Sequence, residues 1–202
     1  MAFGFLALGD SYTIGEGVAP GERWPVQLAA RLRGEGVDIA DPQIVATTGW
    51  TTDELSAAMD VETFASPYAL VTLLIGVNDQ YRGRDVDEYH AHFRDLLQRA
   101  IQLAGGHPAQ VIAVSIPDWG VTPFALREGH DSACVAREID AFNAIASAET
   151  TSAAATWVDV TAISRQPGSR NEWVGDGLHP SGAQYARWVE AILPVARGAL
   201  GR

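Results

Sequence analysis

The chain has 202 residues, enough for one ordinary domain with a substantial core. Hydrophobic residues make up 47% of it, which excludes a disordered segment, and the formal net charge of -11 argues against nucleic acid or an acidic membrane surface as a partner. A single cysteine and the absence of lysine exclude an intramolecular disulfide, a cysteine metal cluster, a lysine Schiff base and a phosphate-loop lysine.

No apolar run approaches the roughly 18 residues of a membrane span, so we expect no membrane-spanning segment. Residues 1–8 are too few and too uncharged for a secretory signal peptide. We therefore expect a cytoplasmic protein, or one whose export sequence is not part of this chain. Nothing in the sequence indicates the oligomeric state.

Five apolar segments of strand length occur along the chain. They are residues 3–8, 43–46, 70–75, 110–116 and 156–160. Three of them are continuously apolar, as expected of strands covered on both faces. Helical patterns separate the segments, with starts near Pro25, at Thr51 or Thr52, at a capping box of Asp85 and Glu88, near Asp131 and at Ser181. Pro194 is expected to break or kink the last helix.

Alternating strands and helices predict a single α/β domain over residues 1–202, with a five-stranded parallel sheet between helices. In such sheets, ligands bind at the carboxyl ends of the strands. Polar, glycine-containing segments follow the first four predicted strands at residues 9–12, 47–50, 76–79 and 117–120. The loop after the fifth ends in Asp176-Gly177-Leu178-His179. We expect one rim to collect every candidate catalytic residue.

Ser11, Asp176 and His179 carry the side chains needed to make a hydroxyl nucleophilic at neutral pH. The three-residue spacing of Asp176 and His179 lets one turn hold the carboxylate against one imidazole nitrogen while the other nitrogen faces Ser11. Each part has an alternative when taken singly. Ser11 could cap a helix or turn, and an Asp-x-x-His pair could be a surface cap or half of a metal site.

Nucleophilic attack on a carbonyl also requires hydrogen-bond donors for the oxyanion that forms. Gly49 can present a backbone amide that no Cβ obstructs, Asn78 offers a neutral side-chain NH2, and the Ser11 amide can point the same way. A simple turn at Gly49 and an Asx-turn at Asn78 are the alternatives.

Taken together, Gly9-Asp10-Ser11, Gly49, Gly76-Val77-Asn78-Asp79 and Asp176 to Pro180 resemble the SGNH family, also called GDSL esterases and lipases. The resemblance implies a flavodoxin-like three-layer α/β/α sandwich. It implies Ser11 as nucleophile, His179 as base and Asp176 as its orienting partner. It also implies an oxyanion hole made by the Ser11 amide, the Gly49 amide and the Asn78 side chain.

The sequence departs from the family at Tyr12, where leucine is usual, and before Gly49, where an asparagine is often found. Tyr12, Trp50 and Trp119 are predicted to form an aromatic wall around the substrate, and packing beneath loops is the alternative.

Asp10 and Asp79 are interpreted as hydrogen-bonding supports for the loops. Arg82 and Arg84 are predicted to lie in a solvated loop rather than to bind a substrate anion.

The sequence thus predicts a serine-dependent hydrolase of small-molecule carboxylic esters that acts through an acyl-enzyme and needs no cofactor and no metal. A thioesterase, a lysophospholipase, a carbohydrate O-acetylesterase and an acyltransferase remain open as alternatives with the same triad. An alternative of another class is a non-catalytic flavodoxin-like domain that binds a nucleotide or flavin. The lack of a glycine-rich phosphate loop argues against it.

Overall fold

The computed structural model describes residues 2–166 and 172–201. Five strands form one sheet in which each pairing is parallel, as the sequence predicted. They are β1 (Phe5–Gly9), β2 (Gln43–Ala46), β3 (Leu70–Leu74), β4 (Val111–Val114) and β5 (Thr156–Val158). Every residue of β1, β3 and β4 is buried, which explains why these three strands are almost continuously apolar.

The strand order β2-β1-β3-β4-β5 places β1 between β2 and β3. After β1 the chain crosses to one side to form β2 and then to the other side to form β3. The two connections therefore diverge at the carboxyl end of β1, where a doubly wound sheet has its ligand-binding crevice. Gly9 is in register with Ala46 and with Leu74, so the loops after these three strands leave the sheet at the same level.

Helices cover both faces of the sheet, which confirms the predicted α/β class. In the described ranges they are α1 (Ser11–Ile14), α2 (Trp24–Gly34), α3 (Thr52–Val61), α4 (Val77–Tyr81), α5 (Val86–Leu103), α6 (Pro123–Arg127), α7 (Ser132–Ser152), α8 (Thr161–Ser164) and α9 (Gly182–Ala199). Helices α2 and α9 pack together, and α5 packs against α3 and α7. None of these helices is both long enough and apolar enough to cross a membrane.

The structure differs from the sequence-based prediction in its short helices and in α9. Helices α1, α4, α6 and α8 have four or five residues each, too few for an apolar periodicity to reveal them. The last helix is not broken at Pro194 but continues to Ala199. Ile192, Leu193 and Ala196 are buried, and this burial offsets the helix hydrogen bond that Pro194 cannot donate.

Gly9 allows the chain to turn from β1 directly into α1. A Cβ atom at Gly9 would lie 2.3 Å from Oγ1 of Thr13 and 2.5 Å from the carbonyl oxygen of Leu74. Any larger residue would therefore push α1 away from the sheet. The close approach places Asp10 and Ser11 at the carboxyl edge of the sheet.

Candidate active site

A cavity of about 200 Å³ opens at the carboxyl edge of the sheet, beside the end of β1. It is lined by residues from the loops after β1, β2, β3 and β4 and from the turn that precedes α9. These residues are Ser11, Tyr12, Thr48, Gly49, Val77, Asn78, Tyr81, Trp119, Phe124, Leu178 and His179. Three separate loops and one turn thus bring Ser11, Gly49, Asn78 and His179 to one place.

Ser11 is the first residue of α1 and is 5% exposed. The Asp10 side chain caps this helix by accepting the backbone N–H of Tyr12 at 3.0 Å. The N–H of Ser11 itself donates no hydrogen bond within residues 2–166 and 172–201. A backbone donor that is nearly buried and free is unusual in proteins, and here it belongs to a residue that lines the cavity.

A tight turn holds Asp176 against His179. Oδ2 of Asp176 lies 2.6 Å from Nδ1 of His179, and Oδ1 accepts the backbone N–H groups of Leu178 at 2.7 Å and of His179 at 3.0 Å. Burial acts to raise the pKa of Asp176, but the hydrogen bond from the His179 ring and those from the two amides outweigh it and lower this pKa. An ionised Asp176 fixes the proton of the neutral ring on Nδ1 and leaves Nε2 as its free nitrogen.

Ser11 and His179 line the same cavity, but their side chains are not hydrogen-bonded to each other in the part of the chain that the structure describes. Bonds of this kind are often long or misaligned in free enzymes and shorten when a substrate is bound. The rings of Tyr12 and His179 contact edge to face, with centroids 5.9 Å apart. Tyr12 thus packs between the core and the imidazole.

Gly49 and Asn78 face the cavity from the loops after β2 and β3. Gly49 has a φ of +89°, a conformation that favours glycine, and its N–H donates no hydrogen bond among the described residues. Nδ2 of Asn78 donates one of its two protons to the Trp50 carbonyl oxygen at 2.8 Å. This bond orients the side chain and leaves the second N–H of Asn78 available to a ligand.

The three aromatic residues proposed to contact substrate have different environments. Tyr12 and Trp119 line the cavity, and Nε1 of Trp119 donates to Oε1 of Gln80 at 2.8 Å. The Trp50 side chain does not line this cavity and packs against the core instead. Trp50 contributes to the site only through its carbonyl oxygen, which binds the Asn78 side chain. Tyr81 also lines the cavity, and the sequence analysis did not single it out. It follows Asn78 by three residues and therefore lies on the same side of α4.

Two buried carboxyl groups support the loops, as the sequence analysis expected. Asp79 accepts the backbone N–H of Thr52 at 3.0 Å and its hydroxyl at 2.7 Å, and burial raises the pKa of Asp79 against the effect of these bonds. Asp10 is 0% exposed, and Oδ2 of its carboxyl has no partner among the described residues. Burial raises the pKa of Asp10 to about 8, assisted by the charge of Asp79 and opposed by the Tyr12 amide.

Arg82 and Arg84 lie after α4, where Arg82 is exposed and Arg84 is half-buried, and both side chains also bind other groups of the chain. Arg82 donates to the carbonyl oxygen of Gly49 at 2.6 Å, and Arg84 forms an ion pair with Asp53 at 2.5 Å. Both arginines follow α4 and reach back, Arg82 to the loop before α3 and Arg84 to the first turn of α3. These contacts were not predicted, because local sequence does not show where a partner carbonyl or carboxylate from another part of the chain will lie.

A model of the GDSL-like Lipase/Acylhydrolase family matches residues 7–187 of the chain. Curated protein sequences gave no match. The structure is similar to that of TesA, with a TM-score of 0.74, 22% identity, and coverage of 97% of this chain and 99% of TesA.

Two further structures share the fold. For the lipase/acylhydrolase from Enterococcus faecalis the TM-score is 0.74 at 22% identity, covering 98% of this chain and 96% of that one. For an acetyl xylan esterase from Geobacillus stearothermophilus the TM-score is 0.71 at 20% identity, covering 96% of this chain and 94% of that one. At these identities the similarity concerns the fold alone.

Proposed function

Because this chain belongs to the GDSL-like lipase/acylhydrolase family, we propose that it hydrolyses carboxylic esters with Ser11 as the nucleophile. One observation carries the proposal: a single cavity is lined by Ser11, His179 and two candidate oxyanion donors, while Asp176 binds the far side of the His179 ring. A hydroxyl, a base with a fixed tautomer and free N–H donors are the parts that acyl transfer requires.

In the first half of the proposed reaction, Nε2 of His179 takes the Ser11 proton as Oγ attacks the acyl carbon. The carbonyl π electrons move onto oxygen, and the resulting oxyanion accepts the N–H groups of Ser11 and Gly49 and the free N–H of Asn78. His179 then gives its proton to the alcohol oxygen as the bond between this oxygen and the acyl carbon breaks. The alcohol leaves and the acyl group remains on Ser11.

In the second half, a water molecule gives a proton to His179 and attacks the acyl-enzyme at the same carbon. The same three donors stabilise the second oxyanion, and the bond to Ser11 Oγ breaks as Oγ regains its proton from His179. Asp176 stabilises the imidazolium in both halves without taking up the proton. Removing one oxyanion donor typically costs about 3 kcal/mol of transition-state stabilisation.

Asp10 supports this chemistry by remaining uncharged. With its pKa raised to about 8 by burial, this carboxyl is mostly protonated at neutral pH. An ionised carboxylate at the residue next to Ser11 would repel the negative charge of the oxyanion. A neutral Asp10 still caps α1 through its Oδ1 atom and adds no such repulsion.

The cavity favours a small acyl or aryl group. A cavity of about 150 Å³ lined by apolar side chains can hold benzene. The cavity beside Ser11 has a volume of about 200 Å³ and therefore has room for one ring or a short acyl chain. Tyr81, Trp119 and Phe124 form the wall on the side of α4 and α6, with ring centroids of Tyr81 and Trp119 5.4 Å apart. Apolar acyl groups gain most from contact with such a wall.

Hydrolysis of p-nitrophenyl butyrate by wild type, Ser11→Ala and Ser152→Ala tests the proposal. Ser152 is an exposed residue at the end of α7 and serves as the matched control. Ser11→Ala is expected to lower kcat by about four orders of magnitude or more with an unchanged circular dichroism spectrum, and Ser152→Ala to leave kcat unaltered. Equal turnover by the two variants would contradict the proposed nucleophile.

The other family activities are separated by a substrate panel. Butyryl thioesters, lysophospholipids and acetylated sugars are compared with butyrate esters by kcat/KM, and an alcohol acceptor is added to detect acyl transfer. A yellow protein with no ester turnover would favour the flavin-binding alternative. Because the cavity is small, we expect the highest kcat/KM for an ester with a small acyl or aryl group.

A further inference from the structure

Two side chains of α4, and a third from the residue directly after it, hold the Gly49 loop. The short segment from Gly49 to Thr52 joins the loop after β2 to the start of α3. Arg82 donates to the Gly49 carbonyl at 2.6 Å, Asn78 donates to the Trp50 carbonyl at 2.8 Å, and Asp79 accepts the Thr52 amide at 3.0 Å. The element that carries Asn78 therefore sets the position of the loop that carries Gly49.

Arg82 is also tied to the first turn of α3. Its Nη2 atom, which binds the Gly49 carbonyl, lies 3.4 Å from Oε2 of Glu54. Oε2 of Glu54 accepts the backbone N–H of Thr51 at 2.9 Å as part of a capping box. One guanidinium thus connects the Gly49 peptide to a helix cap whose own geometry is fixed.

Burial alone does not hold the Gly49 loop. Thr47 and Thr48 are exposed and Gly49 is half-buried, so apolar contacts contribute little to its conformation. Glycine at a φ of +89° also has wide rotational freedom, and nothing lies within 4 Å of a Cβ built there except the Arg82 guanidinium at 3.9 Å. Arg82 holds the carbonyl of the peptide that follows Gly49, and the Trp50 N–H of the same peptide donates to the Thr47 carbonyl at 3.3 Å. Holding this peptide restricts the rotations at Gly49 and so limits the directions that the Gly49 N–H can take.

We propose that Arg82 is a positioning residue that keeps the Gly49 amide aimed at the oxyanion, an inference that rests on the proposed ester hydrolysis. Arg82 itself lies outside the set of residues that line the cavity and does not touch the substrate in this account. Its loss therefore leaves substrate binding in place and weakens the stabilisation of the tetrahedral intermediate. The effect appears in kcat and not in KM.

The test compares Arg82→Ala, Arg82→Lys and Glu54→Gln with an Arg94→Ala control, which removes an exposed arginine from α5. With p-nitrophenyl butyrate, Arg82→Ala is expected to lower kcat by about tenfold to a hundredfold with KM within about twofold of wild type. Arg82→Lys retains part of kcat. Glu54→Gln, which removes the ion pair and keeps the bond to Gly49, stays within about threefold of wild type.

Chemical rescue separates positioning from a general loss of structure. Side chains of Arg82 and Glu54 are both more than a third exposed, so free guanidinium ion can enter the space left by Arg82→Ala. Guanidinium at low, non-denaturing concentration is expected to restore kcat of Arg82→Ala severalfold and to leave wild type and Ser11→Ala unchanged. Thermal unfolding of each variant serves as the check on folding.

The outcomes distinguish this inference from the function on which it rests. A wild-type protein without ester turnover, or one whose Ser11→Ala variant is equally active, removes the proposed function and this inference with it. An active wild type whose Arg82→Ala variant keeps full kcat, or loses only KM, overturns the role of Arg82 alone. Loss of kcat that neither lysine nor guanidinium restores also overturns it.

Discussion

Asp176 holds both the ring and the backbone of His179. One oxygen of its carboxylate lies 2.6 Å from Nδ1 of the imidazole, and the other accepts the backbone N–H of the same residue at 3.0 Å. Gly177 lies between Asp176 and His179 in the chain. Its N–H donates to the Val174 carbonyl oxygen and its own carbonyl oxygen accepts the N–H of Phe124, both at 2.9 Å. The orientation of the base is therefore set within one turn, and this turn is joined to the wall of the cavity.

Asp176→Asn is expected to lower kcat for p-nitrophenyl butyrate by about a thousandfold or more, because an amide no longer stabilises the imidazolium and permits the wrong tautomer. The exposed Asp95, changed to Asn, is the control and should retain wild-type kcat. Nearly full activity in Asp176→Asn would show that His179 does not depend on this carboxylate.

Gly49→Ala is expected to lower kcat by about a hundredfold, since an altered backbone at this position displaces an oxyanion donor. Gly83→Ala is a matched control, because Gly83 also has a positive φ, +65°, and open space where a Cβ would lie. Both substitutions impose backbone strain of about 1–3 kcal/mol, so both should lower the melting temperature. Only Gly49→Ala should lose kcat; parallel losses in the two variants would remove the proposed role of Gly49.

Asp10 makes stability depend on pH in a direction that can be measured. Its pKa is raised from 3.8 to about 8, so the folded state binds a proton that the unfolded state has released. The contribution of Asp10 to stability is complete below about pH 4 and is lost as the pH rises through about 8. Since one pKa unit corresponds to about 1.4 kcal/mol, the loss has an upper limit of about 6 kcal/mol.

Asp10→Asn resembles the neutral acid and preserves the cap of α1. We expect the variant to keep at least about half of wild-type kcat and to unfold with a free energy that exceeds that of wild type increasingly between about pH 5 and pH 8. Urea unfolding at a series of pH values measures the difference. Parallel curves for the two proteins would mean that Asp10 is not protonated in the folded state.

Phe124→Ala is expected to shift the preferred acyl chain from butyryl towards octanoyl, because it removes one side of the aromatic wall and enlarges the cavity. Leu126, in the same short helix, is 70% exposed and does not line the cavity, so Leu126→Ala is the control. The ratio of kcat/KM for octanoyl and butyryl esters should rise about tenfold in Phe124→Ala alone. An unchanged ratio would place the acyl group elsewhere.

Much of the fold could be predicted because the strands are short, apolar and separated by helical patterns. The gathering of Ser11, Gly49, Asn78 and His179 follows from the same pattern, since each belongs to a loop or turn at the carboxyl edge of a parallel sheet. Sequence motifs therefore located the cavity, although they did not establish what its residues do.

What the sequence could not predict depends on contacts between loops. Trp50 was expected to present its ring to the substrate, but its carbonyl binds Asn78 while the ring packs against the core. Arg82 is exposed, as expected of a loop residue, but its bond to the Gly49 carbonyl was not predicted. Both contacts depend on where a carbonyl oxygen of the loop after β2 points, and local sequence propensity does not predict that direction.

Covalent labelling of Ser11 tests the central claim most directly. The wild-type protein is treated with an alkyl fluorophosphonate, its intact mass is measured, and the modified residue is identified by peptide mapping. Wild type is expected to gain one adduct on Ser11, and heat-denatured protein and Ser11→Ala to gain none. Unlabelled wild type, or an adduct on any other residue, would contradict the claim that Ser11 is the activated nucleophile.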